Sequence, residues 1–100
     1  MGRFLVQIAV ALPPELPDTA RCALLERERA RGRKLKDAGT IEDVWRVPGR
    51  QANVGIWRAP SATALHEALV SLPVWPWADV RVTPLADHDL TNDPEGGGER

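Results

Sequence analysis

The spacing of apolar and polar residues predicts a strand followed by a long helix in the first part of the chain. Residues 3–12 are apolar or β-branched on both faces, which is typical of a strand covered on both sides. A proline-rich segment ends this strand, because proline cannot donate to a ladder. Within residues 18–38, apolar positions recur with a helical period, which predicts a helix. Asp18 or Thr19 is the expected N-cap, and Gly39 is the expected left-handed terminator.

The middle of the chain predicts a β-hairpin. Residues 40–47 alternate, with Ile41, Asp43 and Trp45 expected on one face, and residues 51–59 alternate in the same way. The short proline–glycine connection between the two runs favours antiparallel pairing.

A second helix and a last strand are expected in the final third of the chain. A helix over 62–71 opens at Pro60-Ser61, and residues 79–85 alternate as a strand. The remaining residues are polar and glycine-rich, so they are expected to be disordered or held by a partner. These patterns predict one domain over residues 1–88 and a flexible polar tail over 89–100.

The element order βαββαβ predicts an α+β, ferredoxin-like fold. Two helices would cover one face of a four-stranded antiparallel sheet and leave the other face open. That open face is expected to carry large side chains such as Trp45 or Trp57. An apolar patch of this size on a small protein favours pairing of two sheets, so we expect a homodimer at least.

Glu28 occupies an unusual position on the first helix. Positions 20, 24, 28, 31, 35 and 38 form one stripe, in which Leu24 and Leu35 are apolar, so Glu28 should face the interior whereas Glu26 should face solvent. Burial raises the pKa of a carboxyl group toward the range useful for taking and returning a proton. Alternatively, Glu28 forms an ion pair with Arg31 or with a strand arginine and does no chemistry.

Composition limits the remaining classes of function. Thirteen basic and fourteen acidic residues give a formal net charge of −1, so we expect neither nucleic acid nor an anionic membrane as a partner. The single cysteine, Cys22, excludes an internal disulfide, and no Cys or His cluster predicts a metal site. No leader or membrane-spanning segment is recognisable, so the expected location is the cytoplasm.

Several short segments, taken in order, resemble the muconolactone delta-isomerase family. The resemblance covers nearly all of the predicted domain and is carried by Leu12-Pro13, Ala38-Gly39-Thr40, Val44-Trp45-Arg46-Val47-Pro48-Gly49, Ala52-Asn53, Ala64-Leu65-His66, Leu72-Pro73, Pro76 and Val82-Thr83-Pro84-Leu85. It implies a dimeric α+β barrel, with decamers in characterised members. It also implies a cofactor-independent isomerase of aromatic catabolism that converts muconolactone into 3-oxoadipate enol-lactone.

The resemblance also implies roles for individual residues. The acid/base glutamate of the family, counted back from Gly39-Thr40, corresponds to Glu28, and an asparagine of the third strand corresponds to Asn53. The two positions usually occupied by histidine and tyrosine in the family are here Arg50 and Gln51. This difference bears on the substrate more than on the fold.

A set of polar and aromatic residues is expected to complete the site. Asn53, Gln51 or Arg50 could donate to a developing oxyanion, and Arg46 or Arg50 could hold a substrate carboxylate. Water would be excluded by three tryptophans, Trp45, Trp75 and Trp77. Each of these residues also has a structural interpretation, as a turn residue, an exposed charge or a packing side chain.

Two further classes of function fit the same residues. An isomerase, cyclase or dehalogenase acting on another lactone or a polyketide-like ring would use the same glutamate. A non-catalytic dimeric domain that binds a small molecule would need no acid/base residue, because fold alone does not determine function. A cofactor-free oxygenase of this fold is a weaker third alternative.

Overall fold

The computed structural model describes residues 2–92 and has the predicted βαββαβ order. Its elements are β1 (Gly2–Val10), α1 (Asp18–Asp37), β2 (Ile41–Arg46), β3 (Ala52–Ala59), α2 (Ala62–Val70), a 3₁₀ turn (Trp75–Trp77), β4 (Ala78–Leu85) and a short α3 (Asp89–Asn92). No helix in this part of the chain is long and apolar enough to cross a membrane. Most of the predicted tail lies outside the described residues, and the cytoplasmic location stays a prediction.

The four strands form one antiparallel sheet in the order β2-β3-β1-β4. On β1, Phe4, Val6 and Ile8 are buried and face both helices, as the period of two requires. The core between this face and the helices is completed by Leu24 and Leu35 of α1 and by apolar residues of α2 and the following turn. The α+β, ferredoxin-like fold predicted from the sequence is therefore confirmed.

The two ends of α1 follow different rules. The helix ends as predicted at Gly39, whose φ of +81° is a conformation that glycine adopts without steric cost. Its start differs from the prediction, because Pro17 is the N-cap and no side chain caps the helix. Asp18 lies in the first turn instead, where its negative charge interacts favourably with the positive end of the helix dipole.

A β-bulge in β2 corrects the predicted alternation of this strand. Ile41 lies opposite Trp57 whereas Asp43 lies opposite Ile56, so Glu42 is an extra residue without its own partner on β3. Ile41 therefore faces the core, whereas Asp43 lies on the outer face. The Glu42 carboxylate accepts hydrogen bonds from Arg3 at 3.1 and 3.2 Å, which ties the bulge to β1.

The bulge also decides which residues of β2 face the helices. Beyond it, Val44 lies opposite Gly55 and Arg46 lies opposite Asn53, so both share the face of the buried Ile8. Without the bulge, Ile41 and Asp43 would lie on the same face of the sheet. Either the apolar Ile41 would then be exposed to solvent or the charged Asp43 would be buried.

The outer face of the sheet carries part of the predicted apolar patch. Trp45 is 53% exposed and lies opposite Val54, next to the partly buried Leu5 and Ile56. The expectation for Trp57 is wrong: it lies opposite Phe4 on the helix side of the sheet and is only 2% exposed. Its large apolar surface is thus part of the core.

Candidate active site

Glu28 lies on the inward side of α1, as its spacing from Leu24 and Leu35 predicts. Both leucines are 5% exposed, and Glu28 between them is half-buried. Its Oε1 accepts a hydrogen bond of 3.2 Å from the backbone N–H of Val74, which lies between α2 and the 3₁₀ turn. This carboxylate is therefore held by a fixed part of the backbone and not by a mobile side chain.

The surroundings of Glu28 disfavour its charged form. Burial raises the pKa of the Glu28 carboxyl above its ordinary value, and the hydrogen bond from Val74 offsets part of the rise. A carboxylate with a raised pKa binds a proton more strongly and is a better general base than an exposed one.

The alternative in which Glu28 forms an ion pair is not what the structure contains. Arg31 donates from Nε to the Ser71 hydroxyl at 2.9 Å and so links α1 to α2. The salt bridges found within residues 2–92 instead join Glu42 to Arg3 and Arg58. The carboxylate of Glu28 is thus not neutralised by a salt bridge to any described residue.

Glu28 borders a cavity of about 800 Å³ between α1 and one end of the sheet. Residues of α1 and Val74 line it together with the adjoining ends of β1, β2 and β3. The volume is in the range of ordinary small-molecule sites. It is therefore large enough to bring a ligand to the Glu28 carboxylate.

The cavity brings together most of the predicted site residues. Asn53 and Arg46 are directly opposite each other on β3 and β2, and both line the cavity with Glu28. Gln51 and Trp45 also contribute to its lining. An amide, a guanidinium and a carboxylate therefore surround one volume, although they come from three separate elements.

Three of the predicted residues lie outside the lining of this cavity. Arg50 borders a separate cavity of about 350 Å³ together with Asp79 and Arg81. Trp75 and Trp77 belong to the 3₁₀ turn and pack against the core, and Trp75 contacts His66 edge-on with ring centroids 5.8 Å apart. The turn places Val74, and not these tryptophans, against Glu28, because it is fixed by backbone hydrogen bonds from Trp75 to Leu72 and from Trp77 to Val74.

Sequence reasoning missed two arginines that line the Glu28 cavity. Arg21 and Arg29 both lie on α1, and Leu25 lies between them on the same lining. Positions 21, 25, 28 and 29 follow the i, i+4, i+7 and i+8 spacing of one helix face, so this signal was present in the sequence. This signal was missed because the neighbouring face of α1, which carries Leu24 and Leu35, is more apolar and was interpreted as the inward face.

The family model described as muconolactone delta-isomerase matches residues 3–90. The chain belongs to this family. Among its relatives, the muconolactone delta-isomerase of Rhodococcus opacus is 33% identical over 88 residues, which cover 88% of this chain and 95% of that protein. The enzyme of the same name from Cupriavidus pinatubonensis is 35% identical over 85 residues, which cover 85% of this chain and 92% of that protein.

The fold of this muconolactone delta-isomerase family member is also found among solved structures. A crystal structure of muconolactone isomerase at 3.3 Å resolution is similar with a TM-score of 0.81 and 32% sequence identity, over 86% of this chain and 90% of that one. The family match spans β1 to β4, and therefore includes every element that lines the Glu28 cavity.

In this family member, Glu28→Gln should raise the free energy of unfolding at neutral pH and change it less in acid. The pKa of Glu28 is higher in the folded than in the unfolded chain, so stability falls as pH rises from the unfolded pKa through the folded one. Glutamine removes the buried charge but keeps an oxygen that can accept from Val74. Urea denaturation at neutral pH and below the ordinary carboxyl pKa measures the difference, with the exposed Glu26→Gln as control. An equal gain at both pH values would contradict this explanation.

Proposed function

We propose that this protein is a cofactor-independent isomerase that converts muconolactone into 3-oxoadipate enol-lactone by moving a C=C bond within the lactone. The observation that carries the proposal is Glu28, a half-buried carboxylate without a salt bridge to a described residue, in a cavity that also contains an amide and guanidinium groups. Membership of the muconolactone delta-isomerase family and the relatives of that name supply the substrate class.

In the proposed reaction, Glu28 acts first as a base and then as an acid. Ionised Glu28 removes the proton from the ring carbon next to the lactone oxygen, and the electron pair moves into the conjugated system to give a dienolate. Glu28 then returns the proton to the carbon α to the lactone carbonyl. The double bond has shifted by one position and no atom is gained or lost, so a single carboxylate suffices for both steps.

The other residues of the cavity fit the charges that this reaction develops. The side-chain amides of Asn53 and Gln51 can donate to the oxygen of the dienolate, which carries most charge in the transition state. Three arginines, Arg21, Arg29 and Arg46, line the same cavity as one carboxylate, so its formal charge is positive. A positive cavity favours a substrate that bears a carboxylate.

An ultraviolet assay of muconolactone conversion by the native protein tests this proposal directly. Turnover with release of the enol-lactone would support it. No turnover by a folded protein would reject muconolactone as substrate, and a chlorinated lactone with chloride release as readout should then be tested. Gln51 motivates that second candidate, because it lines the cavity at a position where the resemblance implies a tyrosine, whereas Arg50 does not line it.

We also propose that the protein is at least a homodimer that pairs through the outer face of its sheet. Within residues 2–92 no element covers the patch around Trp45 and Val54, and Leu85, on the opposite edge strand of the same sheet face, is 42% exposed. A patch of this kind is typical of an interface. Sedimentation velocity over a range of concentrations should give a dimer or a larger species, and a monomer throughout would reject the pairing.

A further inference from the structure

We propose that Arg21 binds the carboxylate of the substrate and so determines which end of the lactone faces Glu28. The proposal rests on the function proposed above, and assigns to Arg21 a role in orientation and specificity. It is carried by the position of Arg21 in the cavity, by its hydrogen bond to the backbone and by its spacing from Glu28.

The guanidinium of Arg21 is held by one hydrogen bond and keeps other N–H donors for a ligand. Its Nη2 donates to the backbone carbonyl of Pro13 at 3.3 Å, and the side chain is partly buried. A guanidinium has five N–H donors in a planar fork, so most remain free for a ligand. Because the side chain is already held in place, binding a carboxylate costs less conformational entropy than it would for a mobile arginine.

The spacing along α1 separates Arg21 and Glu28 along one wall of the cavity. Seven residues separate them, which corresponds to roughly 10 Å along the helix axis. Both residues line the cavity, and Leu25 lies between them on the same helix and the same lining. The face therefore presents a cation and a base on one wall of the cavity, with an apolar surface between them. Muconolactone has its carboxymethyl group on the ring carbon that loses its proton, so a carboxylate bound at Arg21 directs that carbon toward Glu28.

Arg21 is better suited to this role than the other two arginines of the cavity. Arg29 and Arg46 are exposed, so solvent and salt weaken their attraction to an anion. Arg21 is partly buried, and none of the salt bridges among residues 2–92 involves it. Its positive charge is therefore available to a ligand and is less screened.

Arg21→Gln should lower kcat/KM for muconolactone by roughly ten- to a hundred-fold, mostly through KM, which is the scale of a lost hydrogen bond to a charged group. The methyl ester of muconolactone, which has no carboxylate, should be affected little. Arg33→Gln removes an exposed arginine of the same helix and should leave both substrates unchanged. Equal losses for acid and ester would overturn the proposal, because they would indicate a general structural defect.

A binding experiment separates this proposal from the proposed reaction. The saturated analogue of muconolactone has no double bond to move, so it can be bound but not isomerised. Calorimetry should show that the native protein prefers this acid over its methyl ester, that Arg21→Gln loses the preference and that Arg21→Lys retains part of it. A preference that depends on Arg21 without turnover of muconolactone would reject the reaction only. An unchanged preference in Arg21→Gln would reject the role of Arg21 only.

A spectroscopic measurement keeps the test independent of whether Arg21→Gln folds. In the native protein labelled with ¹⁵N-arginine, the Arg21 Nε–H signal, assigned through Arg21→Lys, should shift when the saturated acid is added. It should not shift when the methyl ester is added. A signal that responds to neither ligand, or equally to both, would contradict a carboxylate bound at Arg21.

Discussion

Glu28→Gln should lower kcat/KM for muconolactone by about two orders of magnitude or more, the scale of a lost general base. Glutamine has nearly the same shape and can still accept the Val74 N–H, so the cavity should keep its form. It has no basic oxygen with which to take the ring proton. The loss should therefore appear mainly in kcat, because the groups that bind the substrate are unchanged.

Glu26→Gln provides the matched control for this experiment. Glu26 lies on the same helix two residues earlier, is exposed and does not line the cavity. It should keep native activity, and both variants should give the native circular dichroism spectrum. Comparable activity of Glu28→Gln and the native protein would exclude Glu28 as the acid/base residue. The non-catalytic alternative for this chain would then gain support.

Gly55→Ala should lower the free energy of unfolding by about 1–3 kcal/mol, the usual cost of forcing an extra methyl group into a packed site. A Cβ atom at Gly55 would lie 2.7 Å from the backbone carbonyl oxygen of Asp43 and 3.2 Å from the Cβ of Val44. The first contact is with backbone next to the bulge, so β2 itself would have to move. Since Val44 and Arg46 reach the cavity from this strand, activity should fall as well.

Gly32→Ala tests whether the effect at Gly55 comes from this close approach. Gly32 lies inside α1 and has no atom within 4 Å of an added Cβ. Alanine should therefore stabilise the helix by about 0.5–1 kcal/mol, because it loses less backbone entropy than glycine on folding. Urea denaturation of both variants measures the contrast. A Gly55→Ala variant as stable as the native protein would show that β2 can shift without cost.

The sequence predicted correctly the features that depend on a regular spacing of residues or on a short turn. The inward position of Glu28 follows from the helical period alone, because Leu24 and Leu35 identify the buried side of α1. The antiparallel pairing of β2 and β3 follows from the shortness of their turn. These features depend only on neighbours a few residues apart, so no knowledge of the tertiary structure was needed.

Features set by tertiary contacts could not be predicted in the same way. The bulge at Glu42 depends on its contacts with Arg3 and on the absence of a side chain at Gly55, neither of which is close in sequence. Trp57 was expected on the open face of the sheet because the alternation along a strand does not show which of its two faces will pack against the helices. Arg21 is a mixed case: its helical spacing from Glu28 is visible in the sequence, but its contact with the carbonyl of Pro13 is a tertiary one that the sequence does not show.

The hydrogen bond between Val74 and Glu28 has a consequence for the recovery of activity after denaturation. It joins positions 46 residues apart, one in the first half of the chain and one beyond α2. Helices form within about a microsecond, whereas contacts of long sequence separation must wait for loop closure. A refolding chain can thus contain a complete α1 before its carboxylate is oriented. Regained turnover would report the docking of the second half onto the first, and would lag behind the helical signal.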